Sequence, residues 1–131
     1  MRVVFDSNIF VSALVFPGGR ADAAIQRILD GRDTLVISRA IIDEVLRVLA
    51  DKFGRGREEL SHVAVLLTDM AESVRPTRRL SILKDDSDNR ILECAVAGGV
   101  RRIVTGDKAL LRLGSFEGIA VVTLSDYLKR P

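Results

Sequence analysis

Two aspartates stand where apolar segments of this sequence end. Asp6 directly follows the apolar segment 3–5, and Asp107 follows the segment 103–105 after a single glycine. Each segment predicts a buried strand, so each carboxylate lies where a strand stops and a helix begins. In an open parallel sheet the carboxyl ends of the strands border the crevice in which ligands bind. The sequence therefore predicts that both carboxylates line one crevice.

Two further acids, Glu44 and Asp88, lie at or near the starts of predicted amphipathic helices between those strands. Four carboxylates in one crevice would repel each other strongly unless a cation or protons relieved the repulsion. Hard divalent cations take oxygen ligands, and Mg²⁺ keeps several of its waters, so a few carboxylates and a substrate phosphate suffice. The acids therefore predict a metal site and metal-assisted chemistry on an anionic substrate.

The acids at positions 6 and 88 also have a plainer interpretation as helix caps. Asp6 or Ser7 can cap the helix that follows, and Asn8 can cap it or offer its amide oxygen to a metal. Asp88 opens the apolar stripe of its predicted helix, where a charge is costly unless it is paired or bound to metal. The aspartates just before it would cap that helix equally well. We favour the metal site for Asp6 and Asp88.

For Glu44 and Asp107 the sequence leaves roles other than metal binding open. Glu44 and Asp43 border opposite edges of one apolar helix stripe, so helical spacing does not choose between them, and an ion pair with Arg47 is an alternative role for Glu44. Asp107 follows a glycine whose backbone freedom suits a tight strand-to-helix turn, and a simple helix cap is its alternative. Thr105 either hydrogen-bonds a carboxylate or substrate phosphate, or merely ends its strand.

Composition indicates one domain over residues 1–131. Hydrophobic residues make up 47% of the chain, which excludes a disordered protein and suffices for one core. Cys94 is the only cysteine, so no internal disulfide is possible and a reducing cytoplasm is favoured. His62 is the only histidine, which excludes a histidine-based ligand cluster or catalytic triad.

Charge and hydropathy bound the partners. No apolar stretch approaches the roughly 20 residues that span a bilayer, and the sequence opens on a strand rather than on a signal-peptide pattern. We therefore expect a cytoplasmic protein without membrane contact. A net charge of +2 is too small to predict nucleic-acid binding by itself. If four acids surround a metal, however, the remaining surface is more basic than the total indicates.

Helix and strand patterns alternate along the chain. This order predicts right-handed crossovers and a three-layer α/β/α sandwich with a mostly parallel central sheet. The predicted strands are 2–5, 35–37, 73–74, 102–105 and 119–122. The predicted helices are 9–16, 21–29, 38–53, 57–70, 88–97, 108–111 and 125–129. Residues 75–79 and 84–87 are predicted to be surface loops.

The order of the acids along this alternation resembles that of the PIN-domain ribonucleases, and the resemblance spans essentially the whole chain. The best local matches are segments 4–9, 88–95 and 104–107. These segments are most similar to the VapC-like toxin components of type II toxin–antitoxin systems. Each motif is loose by itself, but the three in this order within 131 residues are fairly specific.

The resemblance implies a PIN-like fold and a metal-dependent endoribonuclease that cleaves single-stranded RNA by attack of water on the phosphodiester. It also implies a small antitoxin as partner and a homodimer. Mg²⁺ or Mn²⁺ would be held by four acids, and this is what favours Glu44 over Asp43. The implied metal ligands are Asp6, Glu44, Asp88 and Asp107, with Ser7, Asn8 and Thr105 as supporting residues. Ser7 stands where the family often has threonine, a change that keeps the hydroxyl.

Three other interpretations start from the same acids. A haloacid-dehalogenase-type phosphatase would need a second aspartate where this chain has Asn8. A response-regulator receiver domain would need a pair of adjacent acids after its first strand, whereas Asp6 stands alone. A non-catalytic RNA-binding or protein-interaction module on the same scaffold is the remaining alternative, and the completeness of the acidic set argues against it.

Overall fold

The central sheet lies in the middle of the computed structural model, which describes residues 1–130. Within those residues it has six strands: β1 (Arg2–Phe5), β2 (Thr34–Ile37), β3 (Glu72–Ser73), β4 (Arg102–Val104), β5 (Ser115–Phe116) and β6 (Ile119–Val122). Seven helices accompany them: α1 (Ser7–Val15), α2 (Arg20–Leu29), α3 (Arg39–Phe53), α4 (Arg57–Met70), α5 (Asp86–Gly98), α6 (Lys108–Leu113) and α7 (Leu124–Leu128).

The strand order β3-β2-β1-β4-β6-β5 puts β1 and β4 side by side in the interior of the sheet. The β5–β6 pair is antiparallel, and the other pairs among the described strands are parallel. Helix α5 contacts β1, β2 and β4, whereas α1 contacts α2 and α3 as well as β1. The predicted α/β sandwich with a mostly parallel sheet is therefore confirmed.

Strand β1 has no polar face because it is covered by helices and flanked by strands. Val3, Val4 and Phe5 are fully buried, as expected for an interior parallel strand. The ring of Phe5 lies 5.8 Å from that of Phe10 on α1 and 5.5 Å from that of Tyr127 on α7. These contacts hold the carboxyl end of β1 between two helices, which fixes the position of the residue that follows.

Helix α5 approaches the sheet closely at its carboxyl end. A Cβ atom added at Gly98 would lie 2.5 Å from Cγ1 of Val36 on β2, so only glycine permits this approach. Gly99 then ends the helix in the left-handed conformation at φ 57°. The close fit at one end of α5 sets the distance of the whole helix from β1 and β4.

Several predicted boundaries were wrong by one or two residues. Helix α5 begins at Asp86 rather than at position 88, because Asp85 caps it by accepting a hydrogen bond from the backbone N–H of Ser87 (3.0 Å). Asp88 is therefore the third residue of the helix, and part of the predicted loop 84–87 is helical. Helix α1 likewise begins at Ser7 instead of position 9, because Asp6 is its cap.

Strand β5 was not predicted. Its two residues, Ser115 and Phe116, are too few to show a strand periodicity, and they pair with β6 through a turn at Glu117 and Gly118. Both turn residues have positive φ values, 48° and 84°. Strand β3 lies one residue before its predicted position. Among residues 1–130, no helix combines the length and the hydropathy needed to cross a membrane.

Candidate functional site

Asp6 lies at the carboxyl end of the interior strand β1. Its side chain is 6% exposed, and its Oδ1 accepts a hydrogen bond from the backbone N–H of Asn8 at 3.3 Å, which caps α1. Its own backbone N–H donates to the carbonyl oxygen of Val104 at the end of β4, at 2.9 Å. The predicted cap is therefore present, and it uses only one of the two carboxylate oxygens.

Thr105 connects the second oxygen of Asp6 to the end of the neighbouring strand. The fully buried hydroxyl of Thr105 donates to Asp6 Oδ2 at 2.6 Å and accepts from the backbone N–H of Asp107 at 2.9 Å. The carboxylate of Asp107 in turn caps α6 by accepting from the backbone N–H of Leu110 at 3.0 Å. These bonds bring Asp6 and Asp107 together at the carboxyl ends of adjacent parallel strands.

Asp88 faces these two acids from the first turn of α5. It is 6% exposed, and its Oδ2 is buried without a hydrogen-bond partner among residues 1–130. Burial, as the largest cause, and the negative charges of Asp107, Asp85 and Asp6 together raise the pKa of Asp88 to about 7. A buried carboxylate of this kind is unfavourable unless a proton or a cation joins it.

The pKa of Asp6 is raised as well. Burial is the main cause, hydrogen bonds from Thr105 and Asn8 oppose it, and the charges of Asp107 and Glu44 add to it. The field of Glu44 therefore reaches the buried acids although Glu44 is on a different helix. The acids at positions 6, 44, 88 and 107 influence one another electrostatically and form one acidic cluster.

Glu44 is a partly buried member of this acidic cluster. Its side chain is 22% exposed and forms an ion pair with Arg47, which is the alternative role that the sequence left open. Asp43 is more exposed, at 57%, and its carboxylate lies 3.9 Å from the guanidinium of Arg39. Helical spacing did not distinguish these two acids, but in the folded chain it is Glu44 whose charge raises the pKa of Asp6.

The two supporting residues after Asp6 differ from each other. Ser7 is 3% exposed and lines a cavity of about 390 Å³ together with Glu44 and Asp86. Asn8 is exposed, and its side chain makes no hydrogen bond within the described residues. Ser7 is thus buried beside Glu44, whereas the side chain of Asn8 is open to solvent.

Sequence reasoning missed Asn89, which is adjacent to Asp88 and 1% exposed. Its Oδ1 accepts from the backbone N–H groups of Ile82 (3.0 Å) and Leu83 (2.8 Å), and its Nδ2 donates to the Leu83 carbonyl oxygen (2.8 Å). The amide of Asn89 therefore replaces backbone pairing for a segment without regular structure.

Glu93 and Arg90 hold the same segment one turn further along α5. Glu93 is 5% exposed, and its Oε2 accepts from the backbone N–H of Leu80 at 2.7 Å. Arg90 donates to the Leu80 carbonyl oxygen at 3.0 Å, and its Nε lies 3.0 Å from Oε1 of Glu93. Asn89 and Glu93 thus both hold this segment, and no signal of it was visible in the sequence alone, because their burial and their partners appear only in the folded chain.

The donor set of the acidic cluster suits a hard divalent cation. Its side chains offer carboxylate oxygens, and the buried Oδ2 of Asp88 lacks a hydrogen-bond partner within residues 1–130. Within the same residues, no group of three or more acidic, histidine or cysteine side chains is arranged so that it could hold a metal ion by itself. Mg²⁺ does not require one, because it keeps several waters and binds through one or two carboxylates and the substrate phosphate. The residues present therefore fit such an ion.

Comparison with known sequences gives a family. Residues 2–109 match the family model of the PIN domain. An uncharacterized protein of Methanocaldococcus jannaschii is 26% identical over 117 residues, which cover 86% of this chain and 75% of that protein. The residues that match the family model include Asp6, Glu44, Asp88 and Asp107.

Two solved structures have a similar fold. One is VapBC2 of Rickettsia felis bound to a DNA fragment from its promoter, with a TM-score of 0.66, 15% identity and coverage of 94% of this chain and 98% of that one. The other is VapBC-1 of nontypeable Haemophilus influenzae, with a TM-score of 0.67, 16% identity and coverage of 95% and 99%. At these identities the likeness concerns the fold.

Proposed function

The chain belongs to the PIN domain family, and on that premise we propose that it is a metal-dependent endoribonuclease that cleaves single-stranded RNA. The observation that carries the proposal is that Asp88 Oδ2 is buried without a hydrogen-bond partner within residues 1–130. The negative charges of Asp6 and Asp107 make the ionised form of Asp88 still less favourable. Only a proton or a cation relieves such a group, and a carboxylate-bound divalent cation is the usual device for phosphodiester hydrolysis.

In this mechanism Asp6 and Asp88 would hold Mg²⁺ or Mn²⁺ directly, and Glu44 and Asp107 would serve as further ligands or position the attacking water. When bound, such an ion would supply positive charge at the phosphate and lower the pKa of water. Thr105 keeps the carboxylate of Asp6 in one orientation through its 2.6 Å hydrogen bond. Water then attacks phosphorus in line with the leaving oxygen.

We further propose that the protein acts in the cytoplasm as the toxin of a toxin–antitoxin pair. The likeness of its fold to that of the VapBC assemblies supports this role. Its partners would be a small antitoxin and a second copy of the same chain. Growth arrest on expression, relieved by an antitoxin gene from the same locus, is the corresponding physiological behaviour.

The test uses the purified protein and total cellular RNA, which contains both structured and unstructured substrates. Cleavage sites are mapped by sequencing of new 5′ ends after incubation with Mg²⁺, Mn²⁺ or EDTA. We expect Asp6→Asn to lose at least about 100-fold in cleavage rate, a loss of about 3 kcal/mol in transition-state stabilisation, because a central ligand is neutralised. The matched control is Asp51→Asn, which neutralises an exposed carboxylate on α3.

Circular dichroism checks that both variants keep the parent fold. Equal cleavage by Asp6→Asn and the parent protein would contradict the assignment. Identical RNA profiles with Mn²⁺ and with EDTA would contradict the nuclease proposal as a whole, and they would favour a non-catalytic module on the same scaffold.

A further inference from the structure

Two adjoining cavities lie beside the acidic cluster. A cavity of about 730 Å³ lies between α3, α4, α5 and the segment 73–79. It shares the lining residues Ala40, Asp43 and Arg90 with the cavity of about 390 Å³ that Ser7 and Glu44 border. We call the two cavities together the groove, and Glu44 is the member of the acidic cluster that lines it.

Arginines dominate the charge of the larger cavity. Its lining includes Arg39, Arg75, Arg79 and Arg90 against two acids, Asp43 and Glu93. Arg90 is engaged with Glu93, and Arg39 lies 3.9 Å from Asp43. Arg75 and Arg79 are exposed and have no ion pair or hydrogen bond to a side chain in the part of the chain that the structure describes. These two guanidinium groups are available for a ligand.

The segment that carries Arg75 and Arg79 is held in place from both sides. Arg78 forms two hydrogen bonds with the carboxylate of Glu117 in the β5–β6 turn, at 2.7 and 2.9 Å. The backbone of Leu80 is bound by Glu93 and Arg90 on α5. A segment without regular structure therefore presents its two uncommitted arginines in a defined place, which reduces the entropy lost on binding.

The start of α3 adds positive potential to the same groove. Ser38 precedes this 15-residue helix and lines the cavity, but its side chain forms no cap with the helix amides. Its hydroxyl is buried and donates or accepts no hydrogen bond with the backbone at the start of this helix. Uncapped amides and the helix dipole favour an anion at this end.

We propose that this groove holds the sugar–phosphate backbone of the RNA strand beside the cleavage site, and that Arg75 and Arg79 each pair with one phosphate. The inference rests on the proposed nuclease function and names the surface that binds its substrate. A phosphodiester strand suits the groove, since its other phosphates would meet the arginines while one phosphate would reach the acidic cluster together with a cation.

In this proposal the groove contacts the sugar–phosphate backbone of the RNA and not its bases. None of its lining residues, all within the described chain, is aromatic, so it offers no platform for base stacking. Contacts from arginines to phosphates position a strand without reading its sequence. We therefore expect this part of the interface to contribute salt-dependent affinity that is similar for different sequences.

The experiment measures binding of a fluorescein-labelled 20-nucleotide oligouridylate to the full chain in EDTA, so that cleavage plays no part. The variant is Arg75→Gln/Arg79→Gln, which removes two charges and keeps much of each side chain. For single strands each neutralised phosphate contributes about 0.7 to the slope of log Kd against log salt. We expect the slope to fall by about 1.4 and Kd at 0.1 M salt to rise by roughly 10- to 25-fold.

The matched control is Arg57→Gln/Arg101→Gln, which removes two exposed arginines that lie outside the groove and have no ion pairs within residues 1–130. We expect its Kd to change by less than about threefold, since distant exposed charges are screened. Equal losses in the two double variants would overturn the proposal, because the binding would then follow net charge alone. Competition by oligoglutamate of the same formal charge as effectively as by unlabelled RNA would also overturn it, in favour of an acidic protein partner.

The outcome is separable from that of the nuclease proposal. Groove-dependent binding without metal-dependent cleavage would leave the groove assignment standing and contradict the enzyme. Cleavage that is unaffected in Arg75→Gln/Arg79→Gln, together with unchanged binding, would contradict the groove and leave the enzyme.

Discussion

We predict that Asp88→Asn makes the metal-free protein more stable, although it removes a proposed metal ligand. The reason is that burial and repulsion between carboxylates make the charged form of Asp88 unfavourable in the folded chain. Asp88 is buried, its Oδ2 is unpartnered, and its pKa is raised from 3.8 to about 7. Asparagine has nearly the same shape and no charge. The substitution therefore removes the repulsion and the desolvation cost while the packing of α5 is kept.

The sign and size follow from proton linkage. Between pH 3.8 and about 7 the folded protein keeps a proton on Asp88 that the unfolded chain releases, so the unfolding free energy of the parent falls as pH rises through this range. At about 1.4 kcal/mol for each pH unit, the loss reaches about 4 kcal/mol above pH 8. We expect Asp88→Asn to be more stable than the parent by about 2–4 kcal/mol at pH 8, and by less than about 1 kcal/mol at pH 4.

The assay is urea unfolding of both proteins in EDTA from pH 4 to pH 8. Asp86→Asn is the control, since it removes an exposed carboxylate from the first turn of the same helix. Addition of Mg²⁺ at pH 8 should stabilise the parent more than Asp88→Asn and narrow the difference, because the ion binds the folded carboxylates.

Parallel pH profiles for the parent and Asp88→Asn would refute this reasoning, because they would show that Asp88 has the same proton affinity in the folded and the unfolded chain. A profile for Asp86→Asn that matched that of Asp88→Asn would refute it too, since the effect would then belong to the helix terminus rather than to the buried cluster.

Two further predictions concern the contacts around the cluster. Thr105→Val should lower the unfolding free energy by about 1–3 kcal/mol and reduce RNA cleavage, because it leaves the second oxygen of Asp6 without its donor; Thr105→Ser should restore both in urea unfolding and steady-state kinetics. Glu93→Ala should cost about 3 kcal/mol, because it leaves the Leu80 N–H and the charge of Arg90 without their partner. An unchanged urea midpoint in Glu93→Ala would contradict the assigned role of this contact.

Much of the fold could be predicted from local pattern. The apolar segments 3–5 and 103–105 indicated interior strands, and the acids after them lie at the carboxyl ends of adjacent parallel strands in the structure. Helical periodicity likewise indicated that Asp88 faces inward, and it is buried. Strand and helix periods are local properties, so the sequence carries them in full.

Other features depended on contacts between distant segments. Glu44 and Asp43 are equivalent along the helix, and only the packing of α3 beside α1 and α5 brings the charge of Glu44 to Asp6. The hydrogen bond of the Thr105 hydroxyl was only one of two roles that the sequence left open, because its partner Asp6 is 99 residues away in the chain.

Taken alone, the sequence determined which acids follow buried strands and which helix faces are apolar, because side-chain periodicity is set within a few residues. Only the tertiary structure decided that Asn89 and Glu93 hold the segment 80–83. It likewise decided that Arg75 and Arg79 line the groove. The physical reason is that a segment without regular structure takes its position from hydrogen bonds to another element, and no local pattern in the chain encodes such bonds.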